Sequence, residues 1–354
     1  MKTQNQFVTL SKNNKDFTAY LTGSFSDQKR AIPIHSFSVN TPVEKVTFEL
    51  KKLSEINRPS FVFLLLCLSR PRYWVFTLGP LMITLGLNYA LGLPLNFYHV
   101  ILSFISLILL NLSAFSLNDY FDHLAGVDRI SQTSGSQVIQ KAWLAASQVK
   151  NIAYICLFLT LLFSLPLFVA EPLVSIVMAL FAAFALFAFS YKDLGLKYKG
   201  IGEFIVFLAL GPLIVIGLSS VISSEVRIEH IGVGSCLGWI AMIHMQIKNW
   251  MHIMPNSKAG IKTFISRLGF DKAKLYLCFQ LIILCVLSFG IYYLPISIEA
   301  ASLFCGSVVG SSLFMIYKIL KIYSPVSSQL KKVYKYAMNL NWFYCLIFAG
   351  VLFF

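Results

Sequence analysis

From residue 73 to the end, the chain is a series of long apolar stretches separated by short basic ones. A membrane-spanning helix needs about 20 predominantly apolar residues. On that ruler nine stretches qualify: 73–92, 98–118, 150–170, 173–191, 201–222, 232–250, 275–294, 300–320 and 336–354. The run before them, RPSFVFLLLCLSRPR (58–72), is too short to span. With Arg and Pro at both ends it reads as an interfacial helix leading into the first span. Residues 1–57 have a different texture, polar and mixed. They have no short cationic start followed by an apolar core, so they are not a cleavable signal peptide. VEKVTFEL (43–50) fits a short strand, and disorder fits this region as well. The expected architecture is all-α and polytopic: nine transmembrane helices over 73–354, an interfacial helix over 58–72 and a polar extension over 1–57 whose role the sequence does not give.

Composition strengthens that picture. The chain is 57% hydrophobic and 12% charged, where a soluble protein carries about 25% charged residues. The net charge of +14 would point to nucleic acid if it were spread evenly. With these spans, every Lys and Arg except Arg227 falls on one side of the membrane. Topology and contact with anionic lipid account for that distribution, so no nucleic-acid partner is expected. The basic side is cytoplasmic by the positive-inside rule, which puts the N-terminus inside and the active side toward the cytoplasm of the inner membrane. Seven cysteines are scattered with no CxxC pair. They suit small buried hydrophobes better than a zinc site or a disulfide framework.

Acidic residues are scarce, so NDYFDHLAGVD (118–128) stands out where the second span ends. Asn118 and Asp122 are four apart and share a helix face, while Asp119 is turned by about 100°. Asp128 follows beyond Gly126. Magnesium wants hard oxygen ligands and usually takes one or two carboxylates plus phosphate. Helix-end groups capping one another would explain a single aspartate. Three aspartates and an asparagine on the rim of a membrane bundle fit a divalent cation holding a diphosphate better.

These residues resemble the first signature of the UbiA superfamily of intramembrane prenyltransferases, and the form NDYFDxxxGxD is closest to its menaquinone branch. The likeness continues through GSQVIQKAWLAASQV (135–149), YKDLGLKYKGIGEF (191–204), Gly211-Pro212 and AGIKTFISRLG (259–269). It implies a helical bundle around a central cavity, in which Mg2+ held by Asn118 and Asp122, supported by Asp119 and Asp128, grips a prenyl diphosphate. It also places Tyr191, Lys197, Lys199 and Lys141 among candidates for the diphosphate, their hydroxyl and ammonium groups being suitable donors to phosphate oxygens. An aromatic acceptor would then take the prenyl group.

The second signature departs from the family form. Counting back from Gly260, its two acidic positions are His252 and Asn256, in HIMPNSKAG (252–260). Imidazole suits softer metals than magnesium. Lys248, Lys258 and Lys262 surround this stretch and offer positive charge in place of a second ion, and His252 can gain a proton near physiological pH. Asp193 and Glu203 join Asp122 as catalytic candidates, able to orient an acceptor hydroxyl or take up a proton; Glu203 also suits a helix N-terminus. Arg70 and Arg72 read as interfacial anchors, with an acceptor carboxylate as the competing partner. His244 reads as a hydrogen-bonded packing residue. The function expected is transfer of a polyprenyl group from its diphosphate to an aromatic, quinone-precursor-like acceptor. Its rivals are a UbiA-like terpene cyclase that needs no acceptor and a non-catalytic subunit that binds a prenyl lipid.

Overall fold

The computed structural model describes residues 6–39, 41–130, 135–191, 195–258 and 261–353. It is 72% helical. The N-terminal region holds β1 (Gln6–Ser11), α1 (Phe17–Thr22), β2 (Lys29–Phe37) and β3 (Lys45–Lys52). The bundle follows as α2 (Phe61–Ser69), α3 (Val75–Ala90), α4 (Phe97–Leu124), α5 (Val127–Ile130), α6 (Ala146–Ala170), α7 (Pro172–Ser190), α8 (Gly202–Leu208), α9 (Ile214–Ser223), α10 (Ile228–Met251), α11 (Ile253–Lys258), α12 (Phe264–Leu268), α13 (Phe270–Ser288), α14 (Ile298–Leu320) and α15 (Gln329–Phe353).

Seven helical stretches among the described residues are long and apolar enough to cross a membrane, which makes this a multi-pass membrane protein. The expected first span does not reach that length by itself. α3 has 16 residues and meets α2 at a bend of 61°, and together the pair brings the total to eight. The bend has a local cause. Arg70 closes α2 in the left-handed region (φ 48) and Pro71 opens the next turn, which cannot continue the α2 hydrogen bonding. α10 is long enough to span but carries His230, His244, Gln246, Lys248 and Asn249, too polar a set for a lipid-facing helix. It is a central helix. Its apolar residues join those of α3, α13, α14 and α15 in the largest core cluster.

α8 and α9 form one bent span. Between them Ala209–Leu213 makes a π turn in which Gly211 leaves helical geometry (φ −123, ψ −109) and Pro212 withholds a donor. α10 crosses this break backbone to backbone. A Cβ on Gly238 would lie 2.3 Å from the Phe207 carbonyl oxygen, and one on Gly211 would lie 2.5 Å from the Gly238 Cα. α7 is the opposite case. It turns Ser175, Met178, Ala182 and Phe189 toward the interior, while Leu173, Val177, Leu180 and Phe184 are exposed on its other side.

Residues 6–52 correct the all-α expectation. The strands form an antiparallel sheet in the order β1-β3-β2, with a register irregularity between Pro33 and His35. The expected strand at 43–50 is β3, shifted to Lys45–Lys52. Val46 and Phe48, two apart on β3, point to one face and bury against Phe17 and Leu21 of α1, with Leu124 of α4 packed on the same cluster.

Candidate functional site

A cavity of about 660 Å³ runs through the bundle between α4, α6, α7, the broken α8–α9 span and α10. Most of its wall is aliphatic or aromatic. The polar groups gather at one end, where the last turns of α4 and α10, α5 and the loops after α7 and α11 converge.

On the α4 side, Asn118 and Asp122 face the cavity together, as their four-residue spacing requires. The Asn118 Nδ2 donates to Asp122 Oδ2 at 2.8 Å. Lys197, from the turn Leu196–Tyr198, reaches across and donates to Asn118 Oδ1 at 2.7 Å and Asp122 Oδ1 at 2.6 Å. This approach needs Gly202, since a Cβ there would lie 2.7 Å from the Lys197 Cα. Burial pulls the Lys197 ammonium below its ordinary value, against the opposing pull of Asp122. Asp128 on α5 is buried and lines the same end. Gly135, in the left-handed region (φ +69), leaves the space between acids: a Cβ there would lie 2.7 Å from Asp128 Oδ2 and 3.0 Å from Asp119 Oδ1.

Asp119 points elsewhere. It is absent from the cavity lining, forms a buried ion pair with Arg70 and accepts from the Ser136 N–H at 3.3 Å. Its offset of about 100° from Asn118 produces this. Arg70 thereby corrects the reading of an interfacial anchor. It lines the cavity, its side chain is buried, and its guanidinium lies 4.9 Å from the Phe115 ring centroid.

Across the cavity, α10 and α11 present His244, Lys248, His252 and Asn256, one every four residues. The Lys248 Nζ is 5.6 Å from the Tyr73 ring centroid. His244 lines the cavity and accepts from the Asn341 amide at 2.9 Å, so it is both hydrogen-bonded and cavity-facing. Protonation of His252 near neutral pH is corrected: burial and the nearby positive charges of Lys248 and Lys331 push it down to about 4. At neutral pH it is an uncharged imidazole.

The remaining candidates scatter. Glu203 is buried but does not line the cavity; it accepts from the Asn249 amide at 2.9 Å, and Asn249 is the one that lines it. Tyr191 is partly exposed, its ring against Phe121. Lys199 is exposed, and its carbonyl accepts from Arg267 at 3.0 Å. Lys141 is exposed and sits over the Trp143 ring. None of these three lines the cavity. Asp193 and the side chain of Lys258 lie outside the described residues. The sequence reading passed over Tyr73, Asn249 and Thr263, all of which line the polar end. For Asn249 a signal was available, an amide next to a lysine in the last turn of a span.

Among the described residues no group of three His, Cys, Asp or Glu side chains is disposed to hold a metal. Magnesium asks for less, since it keeps several waters and takes one or two carboxylates. The oxygens of Asn118 and Asp122 converge on one point, occupied by the Lys197 ammonium. That ammonium stands in for a cation, and the donor set, with Asp128 beside it, fits one hard dication. The facing pair, His252 and Asn256, adds no carboxylate.

The structure defines a multi-pass helical membrane protein with a long apolar cavity and a polar, charged mouth. Residues 77–343 match the UbiA prenyltransferase family. The chain therefore belongs to that family, whose members are prenyltransferases. It is similar in fold to a UbiA homolog from Archaeoglobus fulgidus bound to GPP and Mg2+, at 17% identity and TM-score 0.56 over 81% of this chain and 99% of that one. A digeranylgeranylglyceryl phosphate synthase structure aligns with TM-score 0.58 and 19% identity, covering 82% of this chain and 98% of the other. A UbiA homolog from Aeropyrum pernix K1 aligns with TM-score 0.55 and 13% identity over 78% and 96%. Comparison with curated protein sequences finds no match.

Proposed function

We propose that this chain transfers a polyprenyl group from its diphosphate to an aromatic, quinone-precursor-like acceptor, with Mg2+ held by Asn118, Asp122 and Asp128. The observation that carries the reading is the convergence of Asn118, Asp122, Asp128, Lys197 and Lys248 on one end of a long apolar cavity. The Mg2+ bound by homologous structures would, when bound here, neutralise diphosphate charge as it leaves. The chain's own residues supply the rest. Lys197 and Lys248 donate to diphosphate oxygens as charge-assisted donors, and Lys248 stands on the α10 wall one turn before His252, the first altered position of the second motif. Phe115, Phe168, Phe181 and Phe189 line the cavity. They exclude water from an allylic cation and offer it ring faces. Glu203 orients Asn249, and Asp193 remains the candidate to accept the acceptor's proton. We place the polar mouth and the N-terminus on the cytoplasmic side of the inner membrane, following the basic loops.

The test is incubation of the purified protein with radiolabelled prenyl diphosphates and a panel of aromatic acids, with and without Mg2+. Magnesium-dependent labelled lipid containing the ring supports the proposal. A ring-free hydrocarbon or alcohol makes the chain a cyclase, the reading favoured by the missing carboxylates at 252 and 256. Binding without diphosphate release makes it a lipid-binding subunit.

A further inference from the structure

Residues 6–52 precede the family-matched segment, and the chemistry above gives them no task. Their contacts converge on one stretch, the segment that leaves α4 and carries Asp128. Arg129, the next residue, is buried and donates from Nη2 to Glu44 Oε1 at 2.7 Å, from Nη1 to Ser36 at 3.2 Å and from Nε to the His123 carbonyl at 3.0 Å. Both side chains of the Arg129–Glu44 pair are almost wholly enclosed, at 1% and 3% exposure. His123, in the last turn of α4, bonds the Leu21 carbonyl through Nε2 at 3.0 Å. At the Gly126 turn (φ +82), a Cβ would lie 2.2 Å from Val39 Cγ1, so the chain passes here only because glycine leaves room. The far end of the same segment is held too: Arg30 donates to Gln148 Oε1 at 3.1 Å, and Gly23 abuts Ala145.

We infer that residues 6–52 are a positioning strap for the cation site, with the buried Glu44–Arg129 pair fixing where Asp128 presents its carboxylate. The inference rests on the proposed use of Asp128 as an oxygen donor. An enclosed ion pair is weak evidence for stability, because desolvation offsets much of its attraction. What such a pair supplies is a defined geometry; Glu44 also lies 3.8 Å from the Lys12 ammonium, which fixes the carboxylate that the enclosed Arg129 side chain meets. Here that geometry is set one residue from Asp128. Glu44 and Arg129 touch no reacting atom; they act through the backbone of α5.

The experiment uses the full chain in detergent and two readouts: Mn2+ affinity in the presence of a non-hydrolysable, sulfur-bridged prenyl diphosphate, and hydrogen exchange over 123–130. Glu44→Gln is expected to weaken Mn2+ binding about five- to tenfold and to speed exchange over 123–130, with exchange in α13–α15 unchanged. Arg129→Lys, which keeps one charge contact, is expected to recover part of the affinity. Affinity within twofold of wild type alongside faster exchange overturns the inference, as does unchanged exchange. If Glu44→Gln does not yield folded protein, Ser36→Ala removes a single bond from Arg129 and is read the same way. Should the wild type fail to bind the Mn2+ probe, the proposed function falls, while the exchange readout still decides whether the strap holds α5.

Discussion

At the residue scale, the Asn118–Asp122–Lys197 cluster dominates. Lys197 occupies the point where a dication would sit, so on the proposed function a bound ion would displace its ammonium and leave it to donate to the diphosphate. Lys197→Met is expected to tighten Mn2+ binding in the absence of diphosphate and weaken it several-fold in its presence; equilibrium titration checks both signs. Asp122→Asn removes the carboxylate that the buried Lys197 ammonium contacts at 2.6 Å. We expect a loss of about 3–5 kcal/mol in stability and of metal-dependent turnover, read by thermal unfolding and by diphosphate release. His252 gives a pH dependence. Its folded value, about 4, lies below the unfolded value of about 6.5. The unfolded chain therefore binds the extra proton first, and stability falls as pH drops through the window from about 6.5 to about 4. His252→Asn is expected to flatten that decline in melting temperature.

At the scale of elements, the seam between the broken span and α10 sets the shape of the cavity. Close backbone packing through small residues is a common way for membrane helices to associate, and here Gly211, Gly234 and Gly238 supply it. Gly238→Ala forces a methyl against the Phe207 carbonyl and is expected to cost about 2–3 kcal/mol, measurable as a lowered melting temperature. Much of this level was legible in the sequence. Apolar runs located the helices because a helix is the only single-segment structure that satisfies its backbone in lipid. The spacing of Asn118 and Asp122 foretold one shared face; Asp119, expected to support the metal, turns instead to Arg70. The ion pair with Arg70 was not foretold, because it depends on a 61° bend that brings residues 49 apart in sequence together. The His244–Lys248–His252–Asn256 stripe was available in the sequence as a four-residue repeat. The three-stranded sheet was hidden for a different reason. Its strands are short and its edges polar, and only Val46 and Phe48 show the alternation that marks a buried face.

At the scale of the whole molecule, the two sides of the cavity differ in construction. Along α10 the backbones abut at Gly211, Gly234 and Gly238. Along α7 a single helix divides the hollow from lipid, with Ser175, Met178, Ala182 and Phe189 inward and Leu173, Val177, Leu180 and Phe184 outward. Gly217 and Met178 lie close enough to pin this wall, since a Cβ on Gly217 would be 3.1 Å from Met178 Cγ. A disulfide between Met178→Cys and Gly217→Cys is expected to slow uptake of long prenyl chains several-fold while sparing short ones, with full recovery on reduction. On the proposed function, that thin flank would let a prenyl tail of varying length extend toward the bilayer while its diphosphate stays at the polar rim.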